Sequence, residues 1–173
     1  PTLGKDSIEK SKKAGMIGFA LLWVYMLLFY RFSGLIAATA LSIYLFIVIA
    51  ILKGFGATLT LPGIAGIILT LGMAVDANIL IFERIREELR AGKSSENALE
   101  GGYAKAFSTI IDANLTTLIT ASILIWLGTG PVKGFGITLA IGIVTSVFCA
   151  LFISRTLLRL LLQVGVKNLI SLQ

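Results

Sequence analysis

The sequence predicts an all-α, polytopic membrane helix bundle with five transmembrane helices. Three observations carry that prediction. Hydrophobic residues make up 57% of the 173 residues and charged ones only 14%, with a mean hydropathy of +0.95; this lies outside the soluble globular class. Apolar runs recur along the chain, near the roughly 20 residues that a span requires. Apart from two aspartates, the charges gather between those runs rather than inside them.

Residues 1–13 are polar and carry Lys5, Lys10, Lys12 and Lys13. They are expected to form an extracytoplasmic lead-in to the membrane surface. The chain starts with Pro1 and shows no signal-peptide pattern, so it is expected to be a fragment of a longer protein. Span one covers about 14–30; rich in Leu and Phe with few small residues, it is expected to face lipid. Residues 31–34, Arg-Phe-Ser-Gly, leave room only for a tight turn before span two, about 35–52. A Gly/Thr loop follows. Pro62 suits the first turn of the next helix, where its missing N–H costs nothing.

Span three, about 63–82, continues into a polar helix that belongs to a cytoplasmic helical loop, 83–103. Gly92 is the expected C-cap, and Ser94 or Ser95 the next N-cap. Gly101-Gly102 is expected to break or bend that helix before span four, about 104–127. The turn Gly128–Gly134 leads to span five, about 135–158. The transmembrane bundle thus occupies 14–162, and 163–173 form a cytoplasmic tail; Arg155, Arg159 and Lys167 make this end basic and amphipathic. Lys and Arg are denser around 83–105 and in the tail than in the connections at the opposite end, which places the former in the cytoplasm.

Helices in lipid associate through small residues and interhelical hydrogen bonds. Span three offers Gly63, Gly66, Thr70, Ala74 and Ala77. Span four carries Ser108, Asp112, Thr116 and Thr120 at intervals of four, and span five Thr138, Gly142, Ser146, Ala150 and Ser154. Spans three, four and five are therefore expected to be the inner helices, with Gly66, Gly142 and Ser146 as packing positions.

Two carboxylates stand inside the apolar runs: Asp76 in a Val-Asp-Ala-Asn stretch and Asp112 in Ile-Asp-Ala-Asn. An ionisable residue within a span is costly and marks a functional site by default. Asp76 lies seven residues before Glu83 and Asp112 seven after Lys105, roughly 10 Å at the helical rise, so the two sit at similar depth on consecutive helices. Burial disfavours the charged form of a carboxyl group, so such a group can exchange protons near neutrality. A charge crossing the membrane potential is worth about 2.3 kcal/mol per 100 mV, enough to bias a two-state bundle. Asp76 is the stronger proton-coupling candidate. Asp112, set in a Ser/Thr stripe that can satisfy it, is the weaker. Asn78, Asn114 and Thr116 are the supporting polar residues. No Lys or Arg lies deep within a span, so a cationic partner is expected from another subunit.

Several classes are disfavoured. Cys149 is the single cysteine and there is no His, which precludes an internal disulfide and removes the commonest metal ligand; no metal or cofactor is expected. The net charge of +6 comes without a basic–aromatic groove pattern, so no nucleic acid is expected. Paired aspartates suggest an intramembrane aspartyl protease, but Gly72-Met73-Ala74-Val75 before Asp76 is not the Gly-x-Gly that such a site carries, and no enzyme is expected.

The stretches GATLTLPGIAGIILTLGMAVDANILIFERIREEL, GGYAKAFSTIIDANLTTLIT and GTGPVKGFGITLAIGI closely resemble the membrane domain of the SecD family, within the SecD/SecF protein-export group of the resistance–nodulation–division superfamily. The likeness runs from about Pro1, in the PTLGKDSIE lead-in, to about Leu162. It implies half of a resistance–nodulation–division-type bundle in which these five helices are spans two to six. It also implies a bacterial or archaeal plasma (inner) membrane and a SecF-like half, separate or fused, as partner. Further implied are the SecYEG translocon and a translocating polypeptide held by a periplasmic domain. The family's proton-coupling aspartate aligns with Asp76. The function so implied is a proton-motive-force-driven auxiliary of Sec translocation. The alternatives are a proton-coupled exporter of small molecules or lipids, or a passive scaffold for the SecF-like half.

Overall fold

The computed structural model describes residues 2–56 and 60–164. Among them four helices are long and apolar enough to cross a membrane, and no strand occurs. They are α1 (Thr2–Gly54), α2 (Leu61–Arg90), α3 (Ser95–Leu127) and α4 (Gly130–Phe148). The last runs on through a π-helical turn, Cys149–Ser154, into α5 (Arg155–Gln163).

Five spans were expected and four long helices are found. The difference lies in α1. Its 53 residues are interrupted at Arg31, whose backbone (φ 46°, ψ −115°) is not helical. The chain reverses there. The Trp23 indole N–H donates to the Ser42 hydroxyl at 3.3 Å, although the two are 19 residues apart; a straight helix would separate them by roughly 28 Å. Gly34 lies so close to the Met26 carbonyl that any Cβ there would collide with it. The turn is so abrupt that one helix leads into the next without a loop, and α1 is two antiparallel apolar limbs.

The helix ends follow local chemistry. Thr60 caps α2, its hydroxyl accepting from the Gly63 N–H, with Pro62 in the first turn. Past its end, Gly92 takes φ +85°, a left-handed conformation that glycine adopts without a Cβ penalty. Ser94 caps α3 through the Asn97 N–H. Of the expected Gly/Thr loop, residues 57–59 lie outside the described residues, as do 165–173 and with them Lys167.

Two sequence expectations about packing are corrected. Gly101-Gly102 neither breaks nor bends α3, which is continuous through both. They allow close approach instead: a Cβ on Gly102 would press on the Ile85 backbone, and one on Gly101 on the Glu88 carboxylate. Span four packs against α2 and α4 as expected, through Ala106, Ile110 and Ala121, but its polar stripe does not take part. Ser108, Asp112, Thr116 and Thr120 are all exposed, and only 11% of the apolar window of α3 is buried. The core is built by α2, α4 and the first half of α3, with Leu99, Tyr103, Ala106 and Ile110, and also by the second limb of α1, where Ala37, Leu41, Tyr44 and Val48 are buried. A periodic small-and-polar stripe marks a close contact, but its spacing does not say whether the neighbour is in the same chain. The first limb matches its expectation: Met16, Ile17, Leu21, Leu28 and Phe29 are exposed.

Gly142 and Gly66 hold the centre together. A Cβ on Gly142 would stand 2.5 Å from the Thr70 hydroxyl, and one on Gly66 would overlap that of Thr138. The space left by Gly142 lets Thr70 accept a 2.7 Å hydrogen bond from the buried Tyr44 hydroxyl. Ser146, also buried, donates to the Ile143 carbonyl at 2.9 Å.

Ion pairs gather at the other end. The buried Glu88 carboxylate pairs with Lys93 and Lys105; the Lys105 ammonium first, then Lys93, hold it below the usual carboxylate range. Glu100 pairs with Arg155 and Arg159 on α5, and its carboxyl is lowered likewise, chiefly by Arg159. Tyr30 donates to Glu83 at 3.2 Å, which also takes a 3.0 Å bond from Arg86. These contacts link both limbs' turn, α2, α3 and α5 at one surface.

Candidate proton-coupling site on the open face

Asp76 sits one helical turn past Gly72 on α2, on the face turned toward α3. With Met73, Ala77 and Leu80 it lines a groove of about 170 Å³, closed on the other side by Thr109, Ile110, Ala113 and Asn114 of α3. The close approach at Gly102 and Ile85 sets the register of these antiparallel helices. Nine residues back along α2 is Asp76, and ten forward along α3 is Asp112, so at ~1.5 Å per residue the two carboxylates are level. That agrees with the depth read from the sequence.

Both aspartates are exposed in this chain, and no ion pair to either occurs among the described residues. Asp112 does not line the groove. It stands on the outward stripe of α3, where its carbonyl accepts a 3.1 Å bond from the Thr116 hydroxyl. Thr116 therefore serves its own helix backbone rather than either carboxylate.

The two asparagines have separate environments. Asn114 shares the groove with Asp76. Its Nδ2 donates to the Ile110 carbonyl at 2.7 Å, while its Oδ1 is buried with no hydrogen-bond partner among the described residues. A buried acceptor left unpaired costs ~1–3 kcal/mol, so this atom has a use for a donor. Asn78 points the other way, into the bundle. Its Nδ2 donates to the Ala74 carbonyl at 3.0 Å, and its Oδ1 accepts a 2.6 Å bond from Ser154.

Ser154 closes the π-helical turn, a feature that recurs at functional sites. Ser154 belongs to the small-residue stripe of span five, and nothing in that stripe pairs it with Asn78. The extra residue of a π turn leaves no mark in an apolar run, so this link had no signal beyond the stripe.

The geometry defines a class: a membrane-embedded helical bundle, closed by small residues on one side and open on the other, with an ionisable side chain on the open face. Comparison with known proteins is more specific. The model of the SecD/SecF protein-export membrane protein C-terminal region matches residues 1–164, and the chain belongs to that family. It is 60% identical over 162 residues to the protein translocase subunit SecD of Desulfurispirillum indicum, covering 94% of this chain and 32% of that protein. With the SecD subunit of Acidaminococcus fermentans it shares 52% identity, over 91% of this chain and 38% of the relative. The chain thus spans about a third of the length of the curated relatives it matches. Among solved structures it is similar to SecDF, a translocon-associated membrane protein from Thermus thermophilus. The TM-score is 0.92 at 46% identity, over 95% of this chain and 23% of that one. The super-membrane-facing form of SecDF gives a TM-score of 0.89 over the same shares.

Proposed function

We propose that this chain is the membrane part of a SecD-like auxiliary of protein translocation in the inner membrane, in which Asp76 takes up and releases protons to drive helix movement. The observation that carries this reading is Asp76 itself: a carboxylate at membrane depth, exposed on a polar face, lining a groove with the unpaired Asn114 Oδ1. Hydrocarbon does not tolerate such a face. The exposed row Ser108, Asp112, Thr116 and Thr120 of α3 belongs against a second bundle, and a SecF-like half is the partner it fits. That half supplies the cation that the described residues around Asp76 lack.

In the protonated state Asp76 is neutral and shares the groove with Asn114. In the ionised state it pairs with the partner's cation. Each state favours a different approach of the two halves, and the potential across the membrane biases the exchange by about 2.3 kcal/mol per 100 mV for a full charge movement. The translocon and the emerging polypeptide are engaged through parts of the protein beyond these residues. The groove beside Asp76, about 170 Å³, is smaller than the ~300 Å³ at which small-molecule sites begin, which favours proton movement over export of a small solute.

The test is Asp76→Asn in the full-length protein with its partner. Proton-dependent stimulation of export is expected to vanish while the assembled complex is recovered in normal yield. Export that still responds fully to the proton-motive force would remove Asp76 from the mechanism.

A further inference from the structure

A second cavity, larger than the groove beside Asp76, lies at the opposite end of the bundle from the ion pairs of Glu88 and Glu100. It opens between the first limb of α1, the end of its second limb and the beginning of α2, and has a volume of about 460 Å³. Its walls are apolar, formed by Met16, Phe19, Leu45, Ile49, Ile68 and Leu71 among others. Lys12 and Lys53 line its mouth. Both lysines are exposed, and neither has a carboxylate within ion-pair distance among the described residues.

We infer that this cavity is a resident-lipid site that holds one acyl chain of an anionic phospholipid, with the headgroup phosphate between Lys12 and Lys53. Position supports this. From Lys12 to Phe19 is seven residues and from Lys53 to Leu45 eight, so the walls reach roughly 10–12 Å below the ammonium groups. That depth falls inside a single leaflet, about half of a ~30 Å hydrocarbon core. The ammonium groups therefore stand at the headgroup level while the cavity floor stands among the acyl chains.

Chemistry supports it as well. An apolar segment of protein would fill the walls but leave both lysines without a counter-charge. A zwitterionic lipid would fill the walls and bring its own cation to the mouth. A lipid with net negative charge satisfies both ends at once. A lysine ammonium pairs with a phosphate oxygen by a charge-assisted hydrogen bond, and a lysine stem can cover an apolar rim while its ammonium reaches water. The site is independent of Asp76 and stands whether or not protons drive the bundle.

The experiment uses the full-length protein in complex with its partner, released from nanodiscs containing equal amounts of phosphatidylglycerol and phosphatidylethanolamine, and read by native mass spectrometry. Phosphatidylglycerol is expected to remain bound in preference. Replacing Lys12 and Lys53 by Gln should lower its retention up to about fivefold for each lysine, while Lys10→Gln with Lys13→Gln, two lysines of the lead-in that do not line the cavity, should not. Equal loss in the two pairs would reduce the effect to general surface charge and overturn the site, as would equal retention of both lipids. A photoreactive residue at Ile49 provides the second readout. A lipid adduct is expected; an adduct only to another stretch of protein would show that a helix, not a lipid, occupies the cavity.

Discussion

Two faces of this bundle carry the same residue types at the same spacing and have opposite surroundings. On α4 and its extension, Thr138, Gly142, Ser146, Ala150 and Ser154 are all buried, with α2 supplying Gly66, Thr70 and Asn78 as counterparts. On α3, Ser108, Asp112, Thr116 and Thr120 are all exposed. The inner row is complete within this chain: hydroxyls find acceptors and glycines admit them. Thr138 and Ser146 bond carbonyls of their own helix, as Thr116 and Thr120 do in the outer row; the difference is that the inner row also meets α2, through Ser154 on Asn78 and Gly142 on Thr70. The lesson is that small polar stripes in membrane helices specify closeness without saying which neighbour they meet.

Substitution is the sharpest way to break the comparison. Gly142→Leu should have the largest effect on the fold, because its side chain must displace Thr70 and with it the Tyr44 bond; a loss of about 3 kcal/mol is expected for such overpacking, read by unfolding in mixed detergent micelles. Ser154→Ala comes next. It strands the buried Asn78 Oδ1 and should cost about 2 kcal/mol by the same measurement. If either change were neutral, the inner row would be no more settled than the outer one.

Acid should loosen the ion-paired end by a smaller amount. The Glu88 carboxyl is lowered by Lys105 and Lys93, so its contribution is complete above the ordinary glutamate value, about 4.3. It is lost as pH falls through the depressed folded value. Stability measured from pH 6 down to 3 should therefore decline more steeply in the natural protein than in Glu88→Gln. The smallest effect belongs to the outer row: Thr116→Leu should change the stability of this chain by less than about 0.5 kcal/mol and yet reduce co-purification of the partner half. A Thr116→Leu protein that keeps its partner in full would sever the link between that row and assembly.

Much of this arrangement can be read from the residues. Arg31–Gly34 is too short for a loop, and the structure reverses there. Gly92, Ser94 and Pro62 act at the helix ends where their chemistry places them. The rows of α2 and α4 are legible as packing surfaces. What was not legible is which neighbour a row meets. The second limb of α1 lies in the core through Ala37, Leu41, Tyr44 and Val48, yet in a membrane protein both core and lipid-facing residues are apolar, so hydropathy does not separate them. Gly101-Gly102 resembles a helix breaker until the Ile85 backbone and the Glu88 carboxylate are seen to fill the space. At the candidate site the level placement of Asp76 and Asp112 follows from counting along two helices. The pairing of Asp76 with Asn114 in one groove, and of Asn78 with Ser154 behind it, depends on helix rotation and a π turn that residue types alone do not encode.

The reversal at Arg31 constrains how anything here can move. Because no slack residues separate the two limbs of α1, and Gly34 is seated against the Met26 carbonyl, neither limb can slide along the other. They form a staple pinned at its bend and again at the Trp23–Ser42 contact, so a change at one leg is felt by the other.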